Sequence, residues 1–270
     1  DGIRDRDVTG VQTCALPIWL RPLLLVIILL VLWDLIIRVF KIPPYLIPKP
    51  LEVVDQLIKE WPMLLKETAP TTLATLGGFV LSLLIGIPVA VLIAYSRLVE
   101  GFVYPLLVFS QSIPKIAIAP LFVVWFGFGI VPKVISAFML GFFPVVVSTV
   151  MGFKSLEREM IDLAFSMGSS RWQMFYKINL PHALPAIFSG MKISITLAVV
   201  GAVVGEFVGA NSGIGYVLQK ANGSFDLPLM FAALVVLSSV GVLLFALLEL
   251  LERFTIPWHT SQRTDLQSSV

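Results

Sequence analysis

Long apolar segments alternate with short polar ones along most of this 270-residue chain. Six segments have the length of about 20 predominantly apolar residues that an α-helix needs to cross a hydrocarbon core of about 30 Å. They are Trp19–Phe40, Thr71–Tyr95, Phe102–Phe126, Pro132–Phe153, Ala186–Val208 and Pro228–Leu250. The pattern predicts an all-α integral membrane protein with about six transmembrane helices.

The composition supports the membrane class. The chain is 57% hydrophobic and 13% charged, whereas soluble domains carry about 25% charged residues. A soluble fold that buried six such helices would lack polar residues for its surface. A net charge of +2 gives no sign of a nucleic-acid-binding surface. The single cysteine, Cys14, excludes an intramolecular disulfide and a thiolate metal cluster.

The chain divides into three parts. Residues 1–18 are polar and carry Asp5 and Asp7 where a signal peptide needs an apolar run, so we interpret them as a non-native or disordered segment. Residues 19–258 form the predicted transmembrane domain, and residues 259–270 form a polar tail. If both termini are cytoplasmic, more of the loop lysines and arginines fall on the inner side than on the outer side. This modest bias predicts cytoplasmic N- and C-termini.

The segment between Lys41 and Glu67 has a different pattern from the predicted spans. Its lysines are balanced by acidic residues, and apolar residues recur at helical spacing from Leu51 to Trp61. Prolines separate it from the first span. We predict an amphipathic helix that lies on the outer membrane surface.

Small residues recur at every fourth position in the second and fifth predicted spans. Such residues share one helix face and let another helix backbone approach closely. The alternative is that glycine and alanine are simply common in membrane helices. The regular register favours packing, so we predict that these two helices are central and that the first span is peripheral. The residues are Ala74, Gly78, Ser82, Gly86, Ala90 and Ala94 in the second span, and Gly190, Ser194, Ala198 and Ala202 in the fifth.

The longest polar insertion on the predicted cytoplasmic side covers about residues 154–185. Ser155 is predicted to cap a first helix, and Gly168 to end it in a left-handed conformation. Two short amphipathic helices that meet at a glycine suit insertion into a groove on a partner protein. Amphipathicity alone, however, favours a loop that folds back on its own bundle or lies at the lipid interface.

The second half of this insertion has its own boundary residues. Ser170 and Gln173 fit a capping box, S-x-x-Q, that starts a second short helix. Trp172 gives that helix an apolar side together with the aromatic residues that follow. Pro181 is predicted to stop it.

The insertion resembles the EAA motif of importer permeases of the ABC transporter superfamily, in which E-A-A-x-x-x-G is followed after nine residues by I-x-L-P. Aspartate replaces the glutamate and leucine replaces the first alanine. The resemblance therefore implies a set of residues at the contact with a separate ATPase: Asp162, Leu163, Ala164, Gly168, Ile178, Leu180 and Pro181.

The resemblance extends from Trp19 to Trp258, and within the permeases it is closest to the branch that serves nitrate, taurine, alkanesulfonates and thiamine-precursor pyrimidines. The order and spacing of three segments carry it, at 112–129, 203–218 and 251–258. It implies the type I importer permease fold and a small anionic or heterocyclic substrate.

The same resemblance implies partners. Two permease subunits, as a homodimer or a heterodimer, form the pathway; two cytoplasmic ATPases bind the EAA loops; and an extracytoplasmic binding protein delivers the substrate. The chain has no G-x-x-x-x-G-K-[ST] sequence, so ATP and Mg²⁺ are expected on the partner ATPase. We expect no cofactor, no metal site and no enzymatic activity in this chain.

Ionisable residues inside predicted spans are candidates for function. The substrate-pathway candidates are Lys115, Gln111, Ser112 and Glu206. Pro114 and Pro120 interrupt the helix around Lys115, so freed carbonyls and a cation would line an aqueous cavity. Attraction of an anion and a purely structural lysine remain equal alternatives.

Glu206 continues the small-residue stripe of the fifth span and therefore faces protein. It either lines a gate or bonds the turn at residues 211–215. The structural role is favoured, because a carboxylate opposes the passage of an anion.

Two other classes of membrane protein remain as alternatives. A secondary transporter or channel would show paired repeats and coupling-ion ligands, and no internal repeat is evident, although the third span is broken as such proteins require. A membrane scaffold would explain the small-residue stripes but not the polar insertion.

Overall fold

The computed structural model describes residues 20–43 and 46–257, and its regular structure there is entirely helical. The helices are α1 (Leu20–Phe40), α2 (Pro50–Lys59), α3 (Trp61–Tyr95), α4 (Arg97–Ser112), α5 (Lys115–Phe126), α6 (Ile130–Lys154), α7 (Arg158–Ser166), α8 (Arg171–Met174), α9 (Leu180–Gly209), α10 (Ile214–Gly223) and α11 (Leu227–Thr255). A π-helical turn, Phe175–Asn179, joins α8 to α9. The predictions for residues 1–18 and 259–270 lie outside the described residues.

Four of the described helical segments are long and apolar enough to cross a membrane: α3, α6, α11 and the continuous stretch Arg171–Gly209. The pair α4 and α5 counts as a fifth if it is one span, bent by 94° at its break. The first predicted span coincides with α1, a helix of 21 residues. The predicted all-α membrane class is therefore confirmed, and the third span is broken between Ser112 and Lys115.

Helix α6 lies at the centre of the bundle, with α3 on one side and α9 on the other. A Cβ atom added to Gly78 of α3 would lie 2.7 Å from the backbone nitrogen of Phe138 in α6. One added to Gly190 of α9 would lie 2.6 Å from the Cβ atom of Ser148, also in α6. The predicted packing role of the two stripes is confirmed, although both helices pack mainly on α6, whose central position the stripes do not indicate.

Helix α1 is peripheral, as predicted. Most of its described side chains from Leu25 onward are exposed, and its described contacts are with α2 and, through Trp33, with Phe231 of α11. An isolated apolar helix of this kind is compatible with lipid on most of its surface.

The predicted surface helix between Lys41 and Glu67 is shorter than expected. It covers only Pro50–Lys59, and α3 begins at Trp61. Pro62 lies in the first turn of α3, where a missing N–H group is tolerated. Val53 is buried in a cluster with residues of α10 and α11, so α2 packs against the protein on one face.

We name the two ends of the bundle by their contents. At the loop end, α3, α6 and α11 finish, α9 begins, and α7 and α8 are located. At the far end, α3, α6 and α11 begin and α9 finishes.

Because α3 packs closely on α6, we predict that alanine destabilises the protein at Gly78 but not at a glycine outside this contact. Gly78→Ala should lower the thermal stability of the detergent-solubilised protein by about 1–3 kcal/mol, because the new methyl group overlaps the α6 backbone. Gly101→Ala is the matched control, since no heavy atom outside its own helix lies within 4 Å of its added Cβ. Equal unfolding temperatures for the two variants would contradict this description of the α3–α6 contact.

Candidate functional site

The loop-end insertion contains the turn that the sequence predicts at Gly168. Gly168 has φ +80°, a value that L side chains rarely adopt. Its N–H group donates to the carbonyl of Phe165 (2.9 Å), and Ser169 N–H donates to the carbonyl of Ala164 (3.1 Å). These bonds end α7 and confirm the predicted left-handed glycine.

The two predicted helix caps have different outcomes. Ser155 does not cap α7: its hydroxyl donates to the carbonyl of Gly152 in α6 (2.9 Å), and α7 begins only after Glu157. The capping box is confirmed, because Ser170 N–H donates to Gln173 Oε1 (2.9 Å) and Gln173 N–H donates to Ser170 Oγ (3.3 Å).

Pro181 does not stop the second helix, so that prediction is wrong. The helix passes through the π-turn, in which Leu180 N–H donates to the carbonyl of Phe175, and continues as α9. The proline therefore occupies the first turn of the new α-helical register, where its missing N–H group and its ring are tolerated.

Aromatic packing ties this π-turn to the loop ends of α3 and α6. The ring of Phe175 stacks on Phe153 of α6 (5.8 Å between centroids) and lies 5.9 Å from Tyr95 of α3. Asn179 donates a hydrogen bond to the hydroxyl of Tyr95. The base of the insertion is thus anchored in the bundle.

The outer surface of the insertion is apolar and exposed. Met167 is 78% exposed and Trp172 is 72% exposed. The other large apolar side chains exposed there are Met160, Leu163, Phe165 and Tyr176. Several large apolar side chains exposed together outside the spans are typical of an interaction site. Phe175 packs on the bundle, whereas these six side chains remain largely exposed.

The predicted ATPase-contact residues fall into two groups. Asp162, Leu163 and Gly168 are exposed at the tip, while Ala164 is buried beneath them. The remaining members, Ile178, Leu180 and Pro181, are half-buried at the base of α9. The motif thus has an exposed part at the tip of the insertion and a half-buried part at its base.

A second candidate region surrounds the break between α4 and α5. Lys115 Nζ donates to Gln111 Oε1 (2.6 Å) and lies 6.0 Å from the ring centroid of Phe143. These three residues, with Pro144 and Leu197 among others, line a cavity of about 340 Å³. Ser112 is exposed at the end of α4 and is not among the residues that line this cavity.

Glu206 lies elsewhere, fully buried at the far end. Its carboxylate accepts hydrogen bonds from Thr71 Oγ1 (2.9 Å), Gly215 N–H (2.7 Å) and Lys133 Nζ (3.4 Å). The structure therefore does not bring it together with Lys115, and it places Glu206 against the turn that its favoured structural role requires.

The partners of Glu206 were not predicted. Lys133 is buried in the first turn of α6 and donates to the carbonyl of Ser212 (2.7 Å). Glu67 accepts from Gly213 N–H (2.6 Å). The signal available in the sequence was a charged residue within one turn of an apolar segment. The pairing of Lys133 with Glu206 joins positions 73 residues apart, so no local sequence pattern predicts it.

A helical bundle with long apolar helices, a broken span and an exposed apolar loop at one end defines a class, the multi-pass integral membrane proteins. The chain belongs to the family described as binding-protein-dependent transport system inner membrane component, which matches residues 82–256. The resemblance inferred from the EAA motif is therefore confirmed, and the protein is a multi-pass inner-membrane protein of the ABC transporter permeases.

Three relatives support the same branch. The formylaminopyrimidine transport permease protein ThiX of Halalkalibacterium halodurans is 41% identical, over 90% of this chain and 97% of that protein. The riboflavin transport system permease protein RibX of Chloroflexus aurantiacus is 37% identical, over 87% and 88%. The putative aliphatic sulfonates transport permease protein SsuC of Bacillus subtilis is 29% identical, over 90% and 89%.

A solved structure has the same fold. The inward-facing MetNI methionine ABC transporter matches with a TM-score of 0.60 at 22% identity, over 72% of this chain and 95% of that chain. The match confirms the type I importer permease fold.

The buried pair Lys133–Glu206 predicts non-additive mutations. Lys133→Met or Glu206→Gln alone should lower the free energy of unfolding by about 3–5 kcal/mol, because each leaves a buried charge without its partner. In the double variant the free energy of unfolding should fall by less than the sum of the two single-variant losses, as measured by thermal unfolding in detergent.

The control is Lys154→Met, which removes the exposed ion pair of Lys154 with Glu100 and should cost under about 1 kcal/mol. Additive effects of Lys133→Met and Glu206→Gln would argue against a direct interaction.

Proposed function

We propose that this permease couples ATP hydrolysis by a separate ATPase to the import of a nitrogen heterocycle, and that the insertion containing α7 and α8 is the ATPase contact. The observation that carries the coupling is the exposed apolar tip around Gly168 on a base anchored in the bundle. The partners are a second permease subunit, two ATPases that bind ATP and Mg²⁺, and an extracytoplasmic binding protein.

Two properties of the insertion support coupling. Its tip offers Leu163, Met167 and Trp172 as an apolar surface for a groove on the ATPase. Its base continues without interruption into α9, which packs along α6. A force applied at α8 therefore reaches a spanning helix through continuous hydrogen-bonded backbone.

This assignment also orients the chain. If the ATPase is cytoplasmic, the loop end is the cytoplasmic end of the bundle. Helix α11 runs antiparallel to α9, and Glu252 near its end pairs with Lys192 of α9 (2.5 Å). The C-terminal tail after α11 is then cytoplasmic. The positive-inside bias of the loops supports the same orientation.

The cavity beside Lys115 is the candidate contact site for the substrate. It offers a cationic donor, an amide and an aromatic ring, from Lys115, Gln111 and Phe143. Ring nitrogens and carbonyls of a heterocycle accept hydrogen bonds from such donors, and its face can stack on a phenyl ring. The permeases for formylaminopyrimidine and riboflavin, at 41% and 37% identity, favour this class.

An anion is the second candidate substrate. The cation of Lys115 would attract it, and the sulfonates permease, at 29% identity, supports this class. Glu206 does not oppose either candidate, because its carboxylate is buried away from the cavity and bonded to Thr71, Lys133 and Gly215.

Substitution at Gly168 tests the coupling. Gly168→Glu should insert normally but lose co-purification with the ATPase and reduce ATP-dependent uptake by more than about tenfold, because a side chain at φ +80° strains the turn by about 1–3 kcal/mol. Gly127→Glu also introduces a side chain at a positive φ (+74°) in open surroundings but lies at the far end, so this variant should still co-purify with the ATPase. Normal ATP-dependent uptake by Gly168→Glu would refute the coupling assignment.

Paired variants of the cavity test the substrate class. For uptake of formylaminopyrimidine, Gln111→Leu and Lys115→Met should each raise KM by about tenfold, the effect of one lost hydrogen bond to a charged or buried group. Lys220→Met, an exposed lysine of α10, is the control. A wild-type KM in both cavity variants would remove this cavity from the pathway.

An anionic substrate would give a different pattern. Sulfonate uptake would fall in Lys115→Met and change little in Gln111→Leu, since a neutral amide contributes little to attraction of a charge.

A further inference from the structure

Four consecutive backbone groups at the start of α10 are bound by side chains from three other helices. Gly213 N–H donates to Glu67 Oε2 (2.6 Å) and Ile214 N–H donates to Thr71 Oγ1 (2.8 Å), both in α3. Gly215 N–H donates to Glu206 of α9, and the carbonyl of Ser212 accepts from Lys133 of α6. We call Glu67, Thr71, Lys133 and Glu206 the far-end clamp.

The clamp supplies hydrogen-bond partners to backbone groups that would otherwise lack them in the membrane. The turn between α9 and α10 is not helical, so its polar groups have no partners within a helix, and leaving them bare in an apolar medium is costly. The two carboxylates also lie at the N-terminus of α10, where the helix dipole favours negative charge. Lys133 then compensates one of those charges across the α6–α9 contact.

Thr71 joins the parts of the clamp. Its hydroxyl accepts from Ile214 N–H and donates to the carboxylate of Glu206, so one atom links α3, α9 and α10. Thr71 is 1% exposed. The clamp admits no side chain at Gly213, since an added Cβ would lie 2.5 Å from Glu206 Oε2, in addition to its φ of +110°.

The rest of the α3–α6–α9 contact is of another kind. It consists largely of small residues in van der Waals contact, such as Gly78, Gly141 and Ser194, with one hydrogen bond midway along the helices, from Ser82 Oγ of α3 to the carbonyl of Phe138 in α6 (3.2 Å). Such surfaces have little directional preference. The clamp is therefore the main directional connection among the far ends of these three helices.

We propose that the far-end clamp stays closed throughout the transport cycle, so that the far ends of α3, α6, α9 and α10 move as one rigid body, and that Thr71 is a positioning residue for transport. The proposal rests on the proposed function, because it concerns the alternation of the permease between access states. A single lost hydroxyl in the clamp should then slow the cycle.

The first experiment uses Thr71→Val in the permease reconstituted with its ATPase and binding protein. Binding-protein-stimulated ATP hydrolysis per folded molecule should fall by roughly 2- to 30-fold, because α3 follows the movement of α9 less closely once the shared hydroxyl is lost and the coupling between the two ends weakens. Thr71→Ser keeps the hydroxyl and should restore the rate. Thr72→Val is the neighbouring control, because the hydroxyl of Thr72 bonds only the carbonyl of Thr68 among the described groups.

A lower unfolding temperature in Thr71→Val with an unchanged rate of hydrolysis per folded molecule would make the residue merely structural and overturn its positioning role. A rate in Thr71→Ser as low as that in Thr71→Val would overturn it as well.

The second experiment locks the far end covalently. A Cβ on Gly77 of α3 would lie 3.9 Å from the Cβ of Val134, the neighbour of Lys133 in α6, and disulfides join Cβ atoms about 3.8 Å apart. Gly77→Cys with Val134→Cys, on a background with Cys14→Ser, should cross-link readily under oxidation. The oxidised complex should keep stimulated ATP hydrolysis within about twofold of the reduced one, because a cross-link costs little between parts that stay together.

Loss of hydrolysis on oxidation, with recovery on reduction, would overturn the rigid far end. Failure of the cysteines to cross-link would also overturn it, because a closed clamp holds them in range. Each single-cysteine variant controls for oxidation damage. If the Cys14→Ser background itself shows no stimulated hydrolysis with any ATPase, the proposed function fails instead, so the two failures are distinguishable.

Discussion

The contact of three helix backbones at α6 is the constraint on which the other features depend. Gly78 and Gly201 bring α3 and α9 so close to α6 that an added methyl group would overlap backbone atoms on either side. In lipid, where apolar burial gives little driving force between helices, this proximity supplies the dispersion energy of association. It also fixes where each helix ends. The aromatic anchor at the loop end and the clamp at the far end both require the ends of α3, α6 and α9 to lie within hydrogen-bond or ring-contact distance of one another.

Local patterns could be predicted from the sequence, and long-range partners could not. The Gly168 turn and the Ser170–Gln173 capping box follow from residues within three or four positions of each other, so their geometry is encoded locally. Pro181 was misinterpreted because a π-turn, which depends on Phe175 packing against Phe153, lets the helix continue. Ser155 does not cap α7; its hydroxyl donates instead to the carbonyl of Gly152 in α6.

The candidate sites show the same division. The small-residue stripes predicted which helices pack closely, since the period of a helix is visible in one chain segment. They did not predict the central position of α6, because a stripe identifies a face and not the helix that occupies it. Glu206 was correctly expected to face protein, but its bonds to Thr71 and Lys133 join three separate helices. Such pairings arise only when the bundle forms.

The polar regions around Glu206 and Lys115 differ in how much of their hydrogen-bonding capacity the protein itself uses. This difference distinguishes a structural region from a candidate part of the substrate pathway. The carboxylate of Glu206 accepts from a hydroxyl, a backbone N–H and an ammonium, and it is fully buried. Lys115 has three donor hydrogens, and the described residues supply one acceptor, Gln111, while its side chain borders a cavity of about 340 Å³. A charged group whose hydrogen bonds are all made within the fold has no free capacity to bind a solute. An ammonium with unused donors beside a cavity can exchange its partners as a solute arrives and leaves, and transport requires both events.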